Sequence, residues 1–180
     1  VNLLFCGQLI RRKGFDLLLE AFKKLLEDES LGDDIELTVV GAGELEYLLE
    51  EISDNARSRI HHMGFLQPGE LSGIFARADI FVLPSRYDGW GVVVNQAIAA
   101  QLAIVTTDAV GAAEYVSEEN GYIVPSEDVD ALVNAIKQLI LNQDAWPAIR
   151  KFNAALTERI SPEYGARRIF EFLKKVNTDR

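Results

Sequence analysis

The chain has 180 residues, of which 48% are apolar and 26% charged, values typical of one globular domain with a substantial core. Its formal net charge of −10 argues against general binding to nucleic acid, and no apolar run reaches the roughly 18 residues of a membrane-spanning helix. The single cysteine, Cys6, lies within an apolar run, which is typical of a small core residue in a reducing compartment, so we expect a cytoplasmic protein.

Predicted strands and helices alternate through the first half of the chain. Near-continuous apolar runs predict buried strands, and apolar residues that recur every three or four positions predict helices. In chain order, the expected elements are a strand over 1–6, a helix over 15–26, a strand over 35–40, a helix over 45–52 and a strand over 59–63. A glycine-containing turn follows each of these strands.

The alternation continues through the second half of the chain. The expected elements are a helix that begins at Pro68, a strand over 80–83, a helix over 92–100, and strands over 103–106 and 121–124. Three more helices follow, one after the cap Ser126-Glu127-Asp128, one over about 144–156, and one from the cap Ser161-Pro162 to about 176.

The alternation of strands and helices predicts the fold class. We expect an α/β protein with a Rossmann-like, doubly wound parallel sheet of about six strands, forming one domain over residues 1–180. Ligands of such sheets bind beyond the carboxyl ends of the strands, near the point where the strand order reverses. The functional site is therefore expected among the turns that follow the strands.

Three consecutive cations, Arg11, Arg12 and Lys13, lie in the turn after the first strand. Adjacent like charges repel one another, so they are tolerated best where solvent or a bound anion offsets them. One interpretation is a clamp for a diphosphate. The other is a solvated turn that binds no ligand. Cations at the start of a helix oppose the helix dipole, which slightly favours this second interpretation. Charge alone leaves both interpretations open.

The turn from Arg86 to Gly91 joins a buried strand to a helix and contains two glycines and an acid, Asp88. A strand, turn and helix in this order place free backbone N–H groups and a positive helix end at the edge of the sheet, which favours phosphate binding. Asp88 can accept hydrogen bonds from ligand hydroxyls. An Asp-Gly pair can equally form a turn by bonding its own backbone.

Other motifs are weaker. Gly41-Ala42-Gly43 lacks the third glycine of a dinucleotide-binding fingerprint, and the turn Gly7-Gln8-Leu9 does not supply that fingerprint after the first strand. A nicotinamide-binding domain is therefore disfavoured. His61 and His62 have no partners at metal-ligand spacing, so we expect structural or surface roles for them and no metal site.

Residues 7–22 read G-Q-L-I-R-R-K-G-F-D-L-L-L-E-A-F, and residues 84–108 read P-S-R-Y-D-G-W-G-V-V-V-N-Q-A-I-A-A-Q-L-A-I-V-T-T-D. The first stretch is similar to the pattern G-R-L-x-x-x-K-G, followed by an apolar helix, of the group 1 retaining glycosyltransferases. These are GT-B enzymes related to glycogen and sucrose synthases. The second stretch resembles the same family's P-S-x-x-E-G-F-G-x-x-x-x-E-A-x-A-x-G-x-P-V-V. The glycines at 41–43 and the pair Gly64-Phe65 match that family in order and spacing.

The resemblance implies a nucleotide-sugar donor-binding domain, the C-terminal half of a longer GT-B enzyme whose acceptor-binding half lies outside this chain. It implies that Arg12 and Lys13, together with Arg11, bind the donor diphosphate, and that Asp88 contacts the donor sugar near the reacting carbon. The other implied contacts are with the sugar and phosphate (Gly89, Trp90, Gly91 and Val92), the ribose (Gln96) and the base (Gly64 and Phe65).

The implied reaction moves a hexosyl-type sugar, with retention of configuration, from a UDP-, GDP- or ADP-sugar to a sugar, glycan or lipid-linked acceptor. Cations and a helix end can stabilise the departing diphosphate, so no metal or cofactor is expected. An anionic Asp88 favours an oxocarbenium-like transition state. We expect this chain alone to bind nucleotide weakly and transfer no sugar, and expect peripheral membrane association only of the longer protein.

Five residues depart from the family pattern. Gln8 replaces arginine, Asp88 replaces a longer glutamate, and Ala103 replaces proline. Gln96 replaces glutamate and loses the charge assistance that makes a hydrogen bond roughly twice as strong. Gln101 replaces glycine, and a side chain there costs about 1 kcal/mol if the backbone is left-handed. These departures keep an alternative open, a non-catalytic GT-B half that pairs with an active subunit.

Overall fold

A computed structural model describes residues 1–31 and 34–178 of the chain. It contains one parallel sheet with the strand order β3-β2-β1-β4-β5-β6, which confirms the predicted doubly wound α/β fold. The order reverses between β1 and β4, so the site is expected beyond the carboxyl ends of these two strands. The strands are β1 (Asn2–Cys6), β2 (Glu36–Val40), β3 (Ile60–His62), β4 (Ile80–Leu83), β5 (Ala103–Thr107) and β6 (Gly121–Val124).

Helices cover both faces of the sheet. Within the described residues, α1 packs against α3 and α6, and α5 packs against α7. No helix in the described part of the chain is long and apolar enough to cross a membrane. The α-helices are α1 (Phe15–Leu26), α2 (Leu48–Glu51), α3 (Asp54–Arg57), α4 (Pro68–Phe75), α5 (Val92–Ala99), α6 (Val129–Leu141), α7 (Trp146–Arg159) and α8 (Pro162–Thr178).

Short 3-10 helices at Arg11–Lys13, Gly111–Tyr115 and Gln143–Ala145 complete the described secondary structure. The prediction of one helix over 45–52 is wrong, because the structure has the two short helices α2 and α3 instead. Ile52 is buried and has an extended backbone, with φ −74° and ψ 151°, so the chain leaves the helix there to bury this side chain. A contact with the core thus overrides the local helical pattern.

The predicted helix caps of α6 and α8 are confirmed. The Asp128 carboxylate accepts a hydrogen bond from the amide of Ala131 at 2.8 Å, and the Ser161 hydroxyl accepts one from the amide of Tyr164 at 3.1 Å. Each bond satisfies an amide that has no acceptor within its helix. These two helices therefore begin at the capping residues from which the sequence predicts them to begin.

The core lies on both sides of β1 and β4, whose side chains are almost entirely buried. Cys6, the last residue of β1, is a free buried cysteine, as predicted. Burial raises the pKa of its thiol to about 11, so the thiol stays neutral near pH 7 and behaves as a small apolar side chain.

Gln101 follows α5 and has a left-handed backbone conformation, with φ 64°. A residue with a side chain is less stable than glycine in this conformation. The amide of Leu102 donates to the carbonyl of Ala97 at 3.0 Å, and the amide of Gln101 donates to the carbonyl of Ile98 at 2.9 Å. This pair of bonds forms a Schellman motif, in which glycine is the preferred residue at the left-handed position.

Replacing Gln101 with glycine is therefore expected to raise the free energy of unfolding by about 0.5–1 kcal/mol, measured by urea denaturation. Gln138 offers a matched control, because it is an exposed glutamine inside α6. The change Gln138→Gly is expected to lower the same free energy by about 0.5–1 kcal/mol. Two changes of the same sign would contradict this account.

Candidate functional site

The site lies where β1 and β4 end, at the reversal of strand order. The 3-10 helix Arg11–Lys13, here called the cationic turn, follows β1, and residues 84–91, here called the β4 loop, follow β4. The amide of Arg86 donates to the carbonyl of Arg12 at 2.8 Å, and the Arg12 guanidinium donates to the carbonyl of Tyr87 at 3.1 Å. The structure thus brings the two predicted segments into contact.

Gly14 allows the close approach of these two segments. It ends the cationic turn and precedes α1 in a left-handed conformation, with φ 70°. A Cβ atom at this position would lie 1.9 Å from the carbonyl oxygen of Pro84, far inside van der Waals contact. Only glycine fits here, both for its backbone angles and for the space available.

Lys13 and Asp88 form an ion pair within the site. Their side chains are 13% and 12% exposed, so the pair is largely shielded from water. The residue predicted to bind the diphosphate and the residue predicted to bind the sugar therefore contact each other. A bound substrate that offers an anion to Lys13 and hydroxyls to Asp88 can replace both halves of this pair.

The other two cations of the turn carry no such partner. Arg11 and Arg12 are exposed, and no ion pair joins either to a carboxylate within residues 1–31 and 34–178. The Arg12 guanidinium donates to the Tyr87 carbonyl, so the described residues give these two arginines no carboxylate partner but do not leave both unbonded. The turn therefore presents two uncompensated positive charges beside a lysine that is already paired with Asp88. This arrangement favours binding of an anion with several charged oxygens.

Arg86 is a fourth cation at this edge, and sequence reasoning missed it. Its guanidinium donates to both carboxylate oxygens of Asp16, at 2.7 and 2.9 Å, and to Glu127 at 3.0 Å. The hydrogen bond with Asp16 is the main cause that raises the pKa of Arg86 above its usual range. The available signal was its position, a charged residue one step beyond the Pro-Ser pair that ends a buried strand.

The glycine-rich end of the β4 loop rests on the segment after β5. The amide of Asp88 donates to the carbonyl of Ala109 at 3.0 Å, and the Trp90 carbonyl accepts from Ala112 at 2.6 Å. Gly91 has φ 80°, and a Cβ atom there would lie 2.7 Å from a methyl group of Val110. These contacts place the start of α5, where the first amides have no acceptor within the helix, beside Asp88.

Trp90 and Val92 lie on either side of Gly91, and Gly89 completes the predicted backbone contact. Trp90 packs edge-on against Tyr115, with ring centroids 5.9 Å apart, yet stays partly exposed. Val92 and Gly89 are also exposed. All four predicted contact residues of this turn therefore lie at the surface or at the helix start, where a ligand can reach their backbone.

The predicted base site, Gly64 and Phe65, follows β3, so it also lies beyond the carboxyl ends of the strands. Gly64 is left-handed, with φ 63°, and its carbonyl accepts from the amide of Gly41 at 2.8 Å. Phe65 is 73% exposed. A cavity of about 420 Å³ opens beside them, over the ends of β1 and β2, with Gly7, Gln8, Gly41, Ala42, Phe65 and Leu71 among its lining residues.

Gln96 lies farther along α5, on its exposed side. It lines a second cavity, of about 400 Å³, between α4 and α5. Pro68 and Leu71 line both cavities, so the two are neighbours around the start of α4. The structure thus places Gln96 in a cavity that adjoins the one beside Phe65.

The two histidines have contacts of the structural kind that the sequence predicted. His61 pairs with Glu36 on β2, and His62 contacts the carbonyl of Gly41 at 2.8 Å through its ring nitrogen. His62 therefore helps to hold the glycine turn after β2. A further cavity of about 520 Å³, between β6, α6 and α7, contains none of the predicted site residues.

Comparison with known proteins identifies a family. The profile described as "Glycosyl transferases group 1" matches residues 1–142. The chain is 31% identical over 152 residues to the lipopolysaccharide glucosyltransferase WaaG of Escherichia coli K12, covering 80% of this chain and 39% of that protein. A crystal structure of WaaG superimposes with a TM-score of 0.78 and 25% identity, covering 91% of this chain and 44% of that one.

Two further proteins extend the comparison. The chain is 28% identical, over 74% of its length and 36% of the relative, to a GDP-mannose-dependent phosphatidylinositol monomannoside mannosyltransferase of Corynebacterium glutamicum. A crystal structure of Anabaena HepE in complex with UDP has the same fold, with a TM-score of 0.80 and 19% identity over 97% of this chain and 48% of that one. The chain spans between 35% and 48% of the length of the curated relatives that it matches.

Proposed function

Because the chain belongs to the group 1 glycosyl transferases, we propose that it is the donor-binding half of a GT-B enzyme, the half that holds a nucleotide-diphosphate sugar. The observation that carries this proposal is the cluster at the sheet edge. There the Lys13–Asp88 pair, the exposed side chains of Arg11 and Arg12, and the start of α5 lie together. Together these groups offer charge to a diphosphate and a carboxylate to a sugar.

In the proposed reaction, the sugar passes from the diphosphate to an acceptor held by the other half of the enzyme, with retention of configuration and without a metal. Arg12 and Lys13 stabilise the negative charge that develops on the departing diphosphate, with help from the amides at the start of α5. Asp88, released from Lys13, stabilises the positive charge that develops on the sugar. The acceptor attacks from the face of the leaving group, so no nucleophile from the protein is required.

Two features support a nucleotide as the rest of the donor. The cavity beside Phe65 has room for a base, and the neighbouring cavity brings Gln96 to where a ribose would follow. HepE is described in complex with UDP, and the mannosyltransferase of Corynebacterium glutamicum is described as GDP-mannose-dependent. We propose a nucleotide donor on this basis and leave the base open. The buried free thiol of Cys6 supports a cytoplasmic location as part of the proposal.

Calorimetric titration of the 180-residue chain with UDP, GDP and ADP tests the proposal. At least one of the three is expected to bind, and its nucleoside is expected to bind more weakly because it lacks the diphosphate. No binding by any of them at millimolar concentration would contradict a donor site. The chain alone is expected to transfer no sugar, and measured transfer by the purified chain would contradict its role as one half of an enzyme.

A second candidate function is a non-catalytic GT-B half that pairs with an active subunit. The replacement of the ribose ligand by the neutral Gln96, next to the strained Gln101, favours this alternative. The change Gln96→Glu distinguishes the two functions in the same titration. A donor site is expected to gain affinity from the restored charge-assisted bond. Unchanged affinity, together with an inactive full-length protein, would favour the non-catalytic function.

A further inference from the structure

Arg86 joins the two segments of the site through contacts that the proposed function does not use. Its guanidinium donates to the carbonyl of Arg11 at 2.6 Å, and its amide donates to the carbonyl of Arg12 at 2.8 Å. The same guanidinium binds Asp16, in the first turn of α1, through both carboxylate oxygens. One residue of the β4 loop thus contacts the cationic turn and the helix that follows it.

The contacts of Arg86 leave almost none of its hydrogen-bonding capacity for a ligand. A guanidinium has five N–H groups. Four bonds are already made, to the Arg11 carbonyl, to the two oxygens of Asp16 and to Glu127, and the side chain is only 15% exposed. Arg86 is therefore poorly suited to bind a diphosphate itself, although it contacts the backbone of Arg11 and Arg12, which are well suited.

The cationic turn needs such an anchor. It is three residues long, its N-cap residue Ile10 makes no side-chain capping bond, and its charges repel one another and oppose the dipole of α1. The bidentate pair with Asp16 holds the Arg86 side chain against the start of α1, and the bond from the same guanidinium to the Arg11 carbonyl holds the backbone of the turn there. Without these bonds, the turn keeps its contacts with the β4 loop but loses the connection through Arg86 to the start of α1.

We propose that Arg86 and Asp16 form a latch that positions the cationic turn for binding a diphosphate, with Arg86 acting through Arg11 and Arg12 and not as a ligand. This inference rests on the proposed function, because it assumes that the turn binds the diphosphate of the donor. It assigns a role to two residues that the resemblance to the glycosyltransferases left without one.

Calorimetry on three variants tests the latch, with the tightest-binding of UDP, GDP and ADP and with the matching nucleoside as probes. Arg86→Gln, Arg86→Lys and Asp16→Asn are each expected to weaken the nucleoside diphosphate about tenfold and to leave nucleoside binding unchanged. Lysine does not rescue, because it keeps the charge but lacks the planar fork that binds both carboxylate oxygens. The control Arg150→Gln, at a half-exposed arginine near Asp79 before β4, is expected to change neither affinity.

A double-mutant cycle separates positioning from direct binding. In an Arg11→Gln/Arg12→Gln background, Arg86→Gln is expected to cause little further loss of diphosphate affinity, because its effect passes through these two arginines. Full additivity, or wild-type affinity in all three variants, would overturn the latch. Equal loss of nucleoside and diphosphate binding would also overturn it, since that pattern indicates general unfolding.

Amide hydrogen exchange tests the latch without any ligand. The amides of Lys13 and Gly14 donate to the carbonyls of Ile10 and Arg11 within the turn. In Asp16→Asn, which is isosteric and so perturbs the fold least, both are expected to exchange at least tenfold faster while the amides of β1 and β4 are unchanged. Unchanged exchange in the turn overturns the latch. Faster exchange in Asp16→Asn, together with no nucleotide binding by the wild-type chain, would refute the proposed function and leave the latch intact.

Discussion

The change Lys13→Met is expected to weaken binding of the nucleoside diphosphate by about 10- to 100-fold. A hydrogen bond to a charged group contributes about 1.5–3 kcal/mol, and about 1.4 kcal/mol corresponds to a factor of ten in affinity. The loss has two sources, since the variant removes a cation from the diphosphate and leaves the largely buried carboxylate of Asp88 unpaired beside it. Calorimetric titration at fixed ionic strength measures the effect.

Lys137 provides a matched control for this prediction. It also forms an ion pair, with Asp28, its side chain is partly exposed, and it lies on α6 away from the sheet edge. Lys137→Met is therefore expected to leave nucleotide affinity unchanged. Asp88→Asn has the opposite expected sign to Lys13→Met, because it frees Lys13 for the diphosphate. Wild-type affinity in Lys13→Met would remove the lysine from the proposed diphosphate site.

The change Gly14→Ala is expected to lower the free energy of unfolding by about 2–4 kcal/mol and to abolish measurable binding of the nucleoside diphosphate. A left-handed alanine costs about 1 kcal/mol, and forcing atoms into a packed site costs about 1–3 kcal/mol more. The new methyl group would lie 1.9 Å from the carbonyl oxygen of Pro84, so the cationic turn and the β4 loop must separate. Urea denaturation and calorimetry measure the two effects.

Gly73 is the matched control for Gly14. It lies inside α4, and a Cβ atom there would have no heavy atom within 4 Å. Gly73→Ala is expected to raise stability by about 0.5–1 kcal/mol, as alanine replaces glycine in a helix, and to leave nucleotide binding unchanged. A Gly14→Ala variant as stable as Gly73→Ala would show that the two segments do not depend on their close contact.

The fold follows from the sequence pattern because its strongest elements are also its most buried. The runs that form β1 and β4 are almost entirely apolar, which is typical of strands buried on both faces, and the structure confirms both. The helix predicted over 45–52 failed for the opposite reason. Ile52 is buried in the core with an extended backbone, after the helix has ended. The spacing of apolar residues along the chain does not indicate where the core lies.

The sequence predicted individual residues of the candidate site but not the contacts between them. The motifs named Lys13 and Asp88, yet nothing local in the chain indicates that residues 75 positions apart form an ion pair. Arg86 was missed because its partners, Asp16 and Glu127, come from two other segments. The roles of these residues in donor binding stay predictions, while the family and the GT-B fold are confirmed by the comparisons.

Arg11 and Arg12 project from one edge of a chain whose net charge is −10. A diffusing polyanion is therefore repelled over most of the surface and attracted at that edge. The charges guide the nucleotide to the site before the two molecules touch. The range of this guidance is the Debye length, about 10 Å at 0.1 M salt. Added salt should then lower the association rate constant of the nucleotide by a larger factor than it raises the dissociation rate constant. The association rate therefore depends on how charge is distributed over the whole chain.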